Sequence, residues 1–251
     1  MKHTLIVVLA LATLSGGLSG CVGADEGKPH PPVIDHIPWQ APESFRYHII
    51  EPRGEVTGRC TLVTRPEFEP GRTQLSQLCD DGTIHRDDRV ALVDSATLAP
   101  IATIRTIVNE KSGKKTTFDA AYEGMTASLR ADSDGKKSIT SRTLPAATKT
   151  VPNPAWYDDE SLFWVIRGIP LRTGHKAVYT NINPGNGRVF DVAIEVQGQE
   201  QVNVPAGEFA TWKVRVKTES ITQYFWIEAA APNRVIRARI ERIAYELLPA
   251  E

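Results

Sequence analysis

The sequence predicts a mainly β fold, a curved antiparallel sheet or partly open β-barrel with one short helix. Three observations carry that expectation. From about residue 44 onward, short runs alternate apolar and polar residues or are rich in β-branched ones, which is the period-two signature of half-buried strands. The runs are separated by Gly- and Asp-bearing segments that tolerate the φ > 0 positions of tight hairpins. A single stretch, residues 158–167, breaks the pattern with apolar spacing suited to a helix.

The first twenty residues stand apart from this body. Lys2, an apolar stretch over residues 5–12, and small residues leading to Leu18-Ser19-Gly20-Cys21 follow the order of an export signal. The apolar run falls far short of the roughly 20 residues of a bilayer span, and Gly16, Gly17 and Gly20 weaken a helix there. The four residues ending at the cysteine resemble the lipobox of bacterial lipoproteins, in which the cysteine thiol takes a diacylglycerol and the freed amine an acyl chain such as palmitate. That resemblance implies a membrane anchor on Cys21, made stable by several chains at about 0.8 kcal/mol per buried CH₂. Val22 follows the cysteine in place of the aspartate that marks inner-membrane retention in many Gram-negative lipoproteins. An outer-membrane location facing the periplasm is therefore favoured if the host has an outer membrane. Residues 21–43, with Pro29, Pro31, Pro32, Pro38 and Pro42, read as a stiff extended tether of about 3.1 Å per residue. His30 and His36 within it lack further ligands and read as linker residues, not a metal site. The expected organisation is a leader over 1–20, the lipidated cysteine and tether over 21–43, and a β domain over 44–251.

Within the body, residues 45–49 alternate, residues 61–64 are β-branched, and residues 89–93 precede a turn at Asp94-Ser95. Residues 101–108 and 116–122 form a hairpin across Ser112-Gly113-Lys114, and residues 126–131 and 138–143 another across Asp132-Ser133-Asp134-Gly135. The Asp132-x-Asp134 spacing also opens a calcium loop, but Thr143 occupies the twelfth position where such a loop needs glutamate. The helix expected over 158–167 starts from an Asp158 or Asp159 cap, presents Leu162, Val165 and Ile166 as its stripe, and ends at Gly168 and Pro170. Asp158, Asp159 and Glu160 then serve the cap and the macrodipole, not catalysis. Strands resume at 177–181 and 188–196 around a Gly-rich turn with no following helix, which argues against nucleotide binding. They continue at 201–204, 211–218, 222–227, 234–240 and 243–248.

Lys plus Arg number 29 against 30 Asp plus Glu, so there is no basic field for nucleic acid. Cys60 and Cys79 are 19 positions apart in a chain whose export permits oxidation. A disulfide is expected, worth about 3 kcal/mol by chain entropy, with two buried free thiols as the alternative. No CxxC pattern, Gly-x-Ser-x-Gly elbow, His-Glu-x-x-His helix or Walker loop occurs, and the six histidines are scattered. No cofactor, metal or catalytic residue is assigned. His85, near Asp87 and Asp88, and His175 are the best acid-base histidines on offer, and both read as solvated.

Residues 92–248 carry a further set of signatures. Asp94-Ser95-Ala96-Thr97-Leu98-Ala99-Pro100 precedes a strand, and Asp158-Asp159-Glu160-Ser161-Leu162 runs on to Arg167-Gly168-Ile169-Pro170-Leu171 and Gly174. Val204-Pro205-Ala206-Gly207-Glu208-Phe209-Ala210-Thr211-Trp212-Lys213-Val214 follows, then Phe225-Trp226-Ile227. In this order and spacing they resemble a bacterial envelope family known only as domain of unknown function 3108. The resemblance implies a curved antiparallel sheet or partly open barrel in exported or lipid-anchored proteins, without established catalytic residues. The architecture also resembles that of periplasmic lipoprotein carriers, which bears on fold and not on function.

The leading functional expectation is a lipid-anchored envelope protein that binds or carries an apolar or amphipathic ligand in the concavity of its sheet. Phe163, Trp164, Trp212, Tyr224 and Trp226 are the candidate cavity lining, with core filling as the alternative. A structural or assembly partner of another envelope protein is the second expectation, and a hydrolase without a recognisable motif the third.

Overall fold

A computed structural model describes residues 32–81, 85–148 and 154–250. The expected leader, Cys21 and the tether as far as residue 31 lie outside the described residues. The alternation read from the sequence becomes fifteen strands. The first eight are β1 (Glu43–Ile50), β2 (Val56–Glu69), β3 (Arg72–Asp80), β4 (His85–Asp94), β5 (Pro100–Asn109), β6 (Lys114–Glu123), β7 (Thr126–Ser133) and β8 (Lys136–Thr143). The rest are β9 (Trp156–Asp158), β10 (Lys176–Ile182), β11 (Val189–Val204), β12 (Gly207–Lys217), β13 (Thr222–Glu228), β14 (Val235–Ile240) and β15 (Ile243–Leu247).

All fifteen belong to one sheet, in the order β8-β7-β6-β5-β4-β3-β2-β1-β15-β14-β13-β12-β11-β10-β9. Two meanders, β1–β8 and β10–β15, are thus fused where β1 pairs with β15, with Tyr47 opposite Leu247. Every neighbouring pair is antiparallel except β9 and β10, so the expected antiparallel sheet is mixed at one margin. The sheet is not closed: β8 and β9 are its two edges. The margins approach through side chains, with Arg142 Nε donating to the Gly187 carbonyl at 2.9 Å. Leu129, Leu144, Trp156 and Ile182 pack there as a small second core.

Hairpin connectivity sorts the turns onto two rims. The turns leaving β1, β3, β5, β7, β10, β12 and β14 share one rim, here called the upper. Those leaving β2, β4, β6, β11 and β13 share the lower rim, which also receives residues 32–42. After β9 the chain turns inward at the upper rim through a 3₁₀ turn, Asp159–Ser161, and a one-turn helix α1 (Leu162–Val165), then runs down the interior to β10. This inner segment is a plug. Phe163 packs edge-on against Phe225 and Tyr245 at 5.4 and 5.8 Å between ring centroids. Trp164 is buried with its Nε1 donating to Thr64 Oγ1 at 2.8 Å, and Val165, Ile166 and Ile169 are fully buried. Each such side chain contributes about 1.5–3 kcal/mol on burial.

The helix is therefore shorter than residues 158–167. Asp158 sits in a strand, paired opposite Ile182, and makes no side-chain cap. The tether is corrected as well, because from residue 33 the chain is part of the body. Val33, Ile34 and Trp39 are 2, 8 and 4% exposed, and the Asp35 amide donates to the Gly168 carbonyl at 2.8 Å. Gly168 permits this approach, since a Cβ there would meet the His36 carbonyl oxygen at 2.7 Å. The apolar residues interspersed among the prolines find the lower rim open and cover it. His36 bonds to Asp35 and Asn233, on the surface of this cap.

Cys60 and Cys79, directly opposed across β2 and β3, are joined by a disulfide that ties these two strands. At the lower rim Arg167, 3% exposed, is the hub of a buried polar cluster. Its guanidinium donates to both Glu43 carboxylate oxygens and, at 3.0 Å each, to the carbonyls of Asn233 and Pro232. It also stacks over Trp39 and Phe45 at 5.3 and 5.5 Å. Replacing Arg167 by Leu leaves two carbonyls without their side-chain donor and the Glu43 carboxylate with the Thr64 hydroxyl alone in a largely dry site. The expected loss is about 3–5 kcal/mol of stability, measured by urea unfolding.

Candidate functional site

Antiparallel register assembles a polar row on the inner face of β3–β5. Gln77 stands opposite Arg89, and Arg89 opposite Arg105. Two guanidinium groups side by side on neighbouring strands repel. Asp87, one inward-facing position nearer the upper rim, resolves this by accepting from both. Arg89 Nη2 and Arg105 Nη2 each lie 2.7 Å from Asp87 Oδ2, and Arg89 Nε and Arg105 Nε lie 3.3 and 2.9 Å from Oδ1. Glu160, on the 3₁₀ turn, comes down over the pair, 3.2 Å from Arg89 Nη1 and 3.7 Å from Arg105 Nη1. Burial alone would raise the Asp87 pKa, but the hydrogen bonds from Arg105 and Arg89 hold it below the usual carboxylate range. Burial opposes the Arg89 charge too, and Glu160 with Asp87 outweighs it and raises that pKa.

The carboxylates at residues 158–160 are structural partners of this row, not helix-dipole residues as expected from sequence. A helix of one turn has little dipole to offer, and all three side chains point into the fold. Asp158 is fully buried and accepts from the Tyr122 hydroxyl at 3.2 Å, and its Oδ1 has no hydrogen-bond partner among the described residues. Burial, then repulsion by Glu160, pushes its pKa up to about 7. Asp159 accepts from the side-chain amides of Asn181 and Asn183, and burial and Glu160 push its pKa up to about 6.

Above this cluster the interior opens at the upper rim as a cleft of about 350 Å³. One wall is apolar, from Leu162 and Phe163 of the plug with Ile221, Ile240 and Tyr245 of β13–β15 and the turn before β13. The other is polar, from Gln77, Arg89 and Arg105 on β3–β5 and Asn183, Asn186 and Arg188 on the β10–β11 turn. Arg188 pairs with Glu219 across the mouth at 3.1 Å.

Of the five aromatics expected to line a cavity, only Phe163 does. Trp164 lies in the core against β2, and Trp212 packs against the main core away from the cleft. Tyr224 and Trp226 are on the outer face, because alternation along β13 turns Phe225 inward. Lys213 covers both rings at 5.7 and 5.4 Å, and Arg237 covers Trp226 at 5.8 Å. His85, at the upper rim, is exposed and bonded to Asp81 and Asn109. His175 is buried at the lower rim with Nε2 unpartnered among the described residues, and burial and Arg172 lower its pKa. The two histidines are thus at opposite ends of the roll. Gln77, Arg89, Arg105, Asn183 and Arg188 were not marked by sequence; Arg89 and Arg105 signal only as charges at inward positions of alternating strands, and the turn residues Asn183 and Arg188 and the amide Gln77 give no such signal.

Residues 81–243 match the model of a family described as protein of unknown function (DUF3108). The match begins earlier than the resemblance over 92–248, and takes in Asp87, Arg89, Arg105 and the whole plug but not β1–β3 or the disulfide. No curated protein matches the sequence. Among solved structures the chain is similar to a Bacteroides fragilis protein described as exported and of YmcC-like fold. Identity is 11%, coverage 87% of this chain and 99% of that one, and the TM-score 0.31.

The pKa of Asp158 makes stability depend on pH in a stated direction. The fold holds this proton to about pH 7, whereas the ordinary value is 3.8. The group's contribution is therefore full below its unfolded pKa and lost as pH rises through its folded one. Asp158→Asn keeps an acceptor for Tyr122 and cannot ionise. In thermal melts it is expected to gain on the parent between about pH 4 and about pH 7 by a few kcal/mol, with no further gain above that. An offset that does not change with pH would show that Asp158 titrates as an ordinary carboxyl.

Proposed function

We propose that this chain, which belongs to the DUF3108 family, is a lipid-anchored cell-envelope protein that binds an amphipathic envelope ligand in its upper-rim cleft. The observation that carries the reading is the division of the cleft into one apolar and one polar wall. A molecule with an apolar part and a polar head meets both. A wholly apolar ligand fits worse, because covering Arg89, Arg105 and Asn183 with hydrocarbon strips their solvation without returning hydrogen bonds.

The lipobox-like residues before Cys21 support the anchor, and Val22 supports the outer membrane in a Gram-negative host. Residues 33–39 are fastened to the lower rim. A chain anchored at Cys21 would enter the body at the end opposite the cleft. A second reading, docking onto another envelope protein, draws on β8. This edge strand has every residue exposed and, among the described residues, β7 alone as its neighbour in the sheet, so it offers a row of backbone groups for strand addition.

Two measurements test the proposal. Cys21→Ala is expected to move the protein from the membrane to the soluble fraction of fractionated cells, and retention in the membrane would count against the lipid anchor. Native mass spectrometry of the mature chain, released from its own envelope in mild detergent, is expected to show a stoichiometric adduct that organic solvent extracts. An adduct-free mass with a protein bound in its place would favour docking through β8.

A further inference from the structure

The charges around the cleft narrow the chemistry of its ligand. Arg89, Arg105 and Arg188 are each already matched by a carboxylate, from Asp87, Glu160 or Glu219, and Asp159 adds one more negative group at the wall. A carboxylate or phosphate head reaching Arg105 would come up against Glu160 and Asp159. An ammonium head reaching Asp159 would come up against the guanidinium pair. The carboxylates outnumber the guanidinium groups by one, but the extra one, Asp159, is already held by the Asn181 and Asn183 amides, so neither sign is presented freely enough to repay the desolvation of an ion.

What it does offer is hydrogen-bonding capacity left over after these pairings. A guanidinium has five N–H donors. Arg105 spends Nε and Nη2 on Asp87, while its Nη1 lies 3.7 Å from Glu160, beyond hydrogen-bond length, and its side chain is 25% exposed. Gln77, whose Nε2 donates to Cys79 Sγ, keeps its Oε1 as an acceptor, and Asn186, whose Oδ1 accepts from the Arg188 amide, keeps its Nδ2 as a donor, while Asn183 is spent on Asp159 and on the amides of its own turn. Vicinal hydroxyls, each donor and acceptor at once and without charge, match such a wall. Phe163 and Tyr245 opposite suit the C–H face of a ring. At about 350 Å³ the cleft is near the lower end for ligand sites and holds a ring with the start of a chain, not a whole lipid.

Resting on the reading of the cleft as a site for an amphipathic ligand, we infer that the head it takes is an uncharged sugar ring, as in a glycolipid. The test uses the chain from Cys21 to Glu251 carrying Cys21→Ala, which leaves the described body intact. It is titrated calorimetrically, below micellar concentrations, with octyl glucoside, octanoate, octyltrimethylammonium and octylphosphocholine, which share one tail. Octyl glucoside is expected to bind at least about tenfold tighter than the others. Ser220→Trp, at the exposed mouth, is expected to abolish that binding. Arg105→Gln, which takes a positive charge away from beside the Asp87 and Glu160 carboxylates, is expected to weaken the glucoside and strengthen the ammonium; Asn186→Ala, an exposed rim residue, replaces it if near-ultraviolet circular dichroism shows that fold disturbed, and is expected to weaken the glucoside alone. A charged or zwitterionic head that binds as tightly as the glucoside, and is lost in Ser220→Trp, overturns the sugar head and leaves the amphipathic site standing. Absence of binding by all four, or binding indifferent to Ser220→Trp, overturns both.

Discussion

The pairing of β1 with β15 is the contact on which the rest of the molecule depends. It joins residues about two hundred positions apart, yet loop closure grows only by about 0.6 kcal/mol per doubling of length, so the distance itself is a small cost. What the pairing achieves is to turn two separate meanders into one sheet wide enough to roll. Its lower end is reinforced from several directions. Tyr47 is buried and its hydroxyl donates to the Val235 carbonyl at 2.9 Å, while Glu43, at the start of β1, accepts from Arg167 of the plug. Strand, plug and the β13–β14 turn are thereby tied at one place.

A sheet of this width rolled on itself encloses more space than its own inward side chains can fill, and packed interiors do not tolerate the void. The plug answers that need, and its course explains the chemistry. To enter from the upper rim the chain must turn sharply after β9, and the turn carries Asp158, Asp159 and Glu160 inward. Carboxylates brought there need partners. Arg89, Arg105, Tyr122, Asn181 and Asn183 supply them, from strands at both margins of the sheet. The polar cluster thus spans the seam that backbone hydrogen bonds leave open.

Much of the sheet was legible because its turns announce themselves. Gly113 and the Asp134-Gly135 pair adopt positive φ where sequence placed hairpins, and Asn233 does so before β14. β3 was not legible, and its burial pattern says why: Thr73 and Gln77 face in while Leu78 faces out at 44% exposure, so the apolar alternation is scrambled. Residues 156–158 are too few to show any period, and acidic residues before an apolar run read naturally as a helix start. The arginine pair is invisible for another reason. Arg89 and Arg105 are neighbours only through the β4–β5 register, which an irregularity at Leu92 and Val93 resets. Tyr224 and Trp226 misled because a strand covered on both faces gives aromatics on each, and the long stems of Lys213 and Arg237 can bury a ring on the outer one as well as a core does.

The two rims end up unlike each other for a physical reason. At the lower rim the plug presents mainly apolar side chains, with Arg167 and His175 buried among them, so residues 33–39 can close over it and complete the core. At the upper rim the plug presents its turn, whose carboxylates are compensated but still keep solvent and spare donors near Arg105. An apolar cover there would have to desolvate that cluster, and the two cations and their carboxylates make such a cover costly. The cleft persists because the same residues that let the plug enter the sheet also keep its entrance polar.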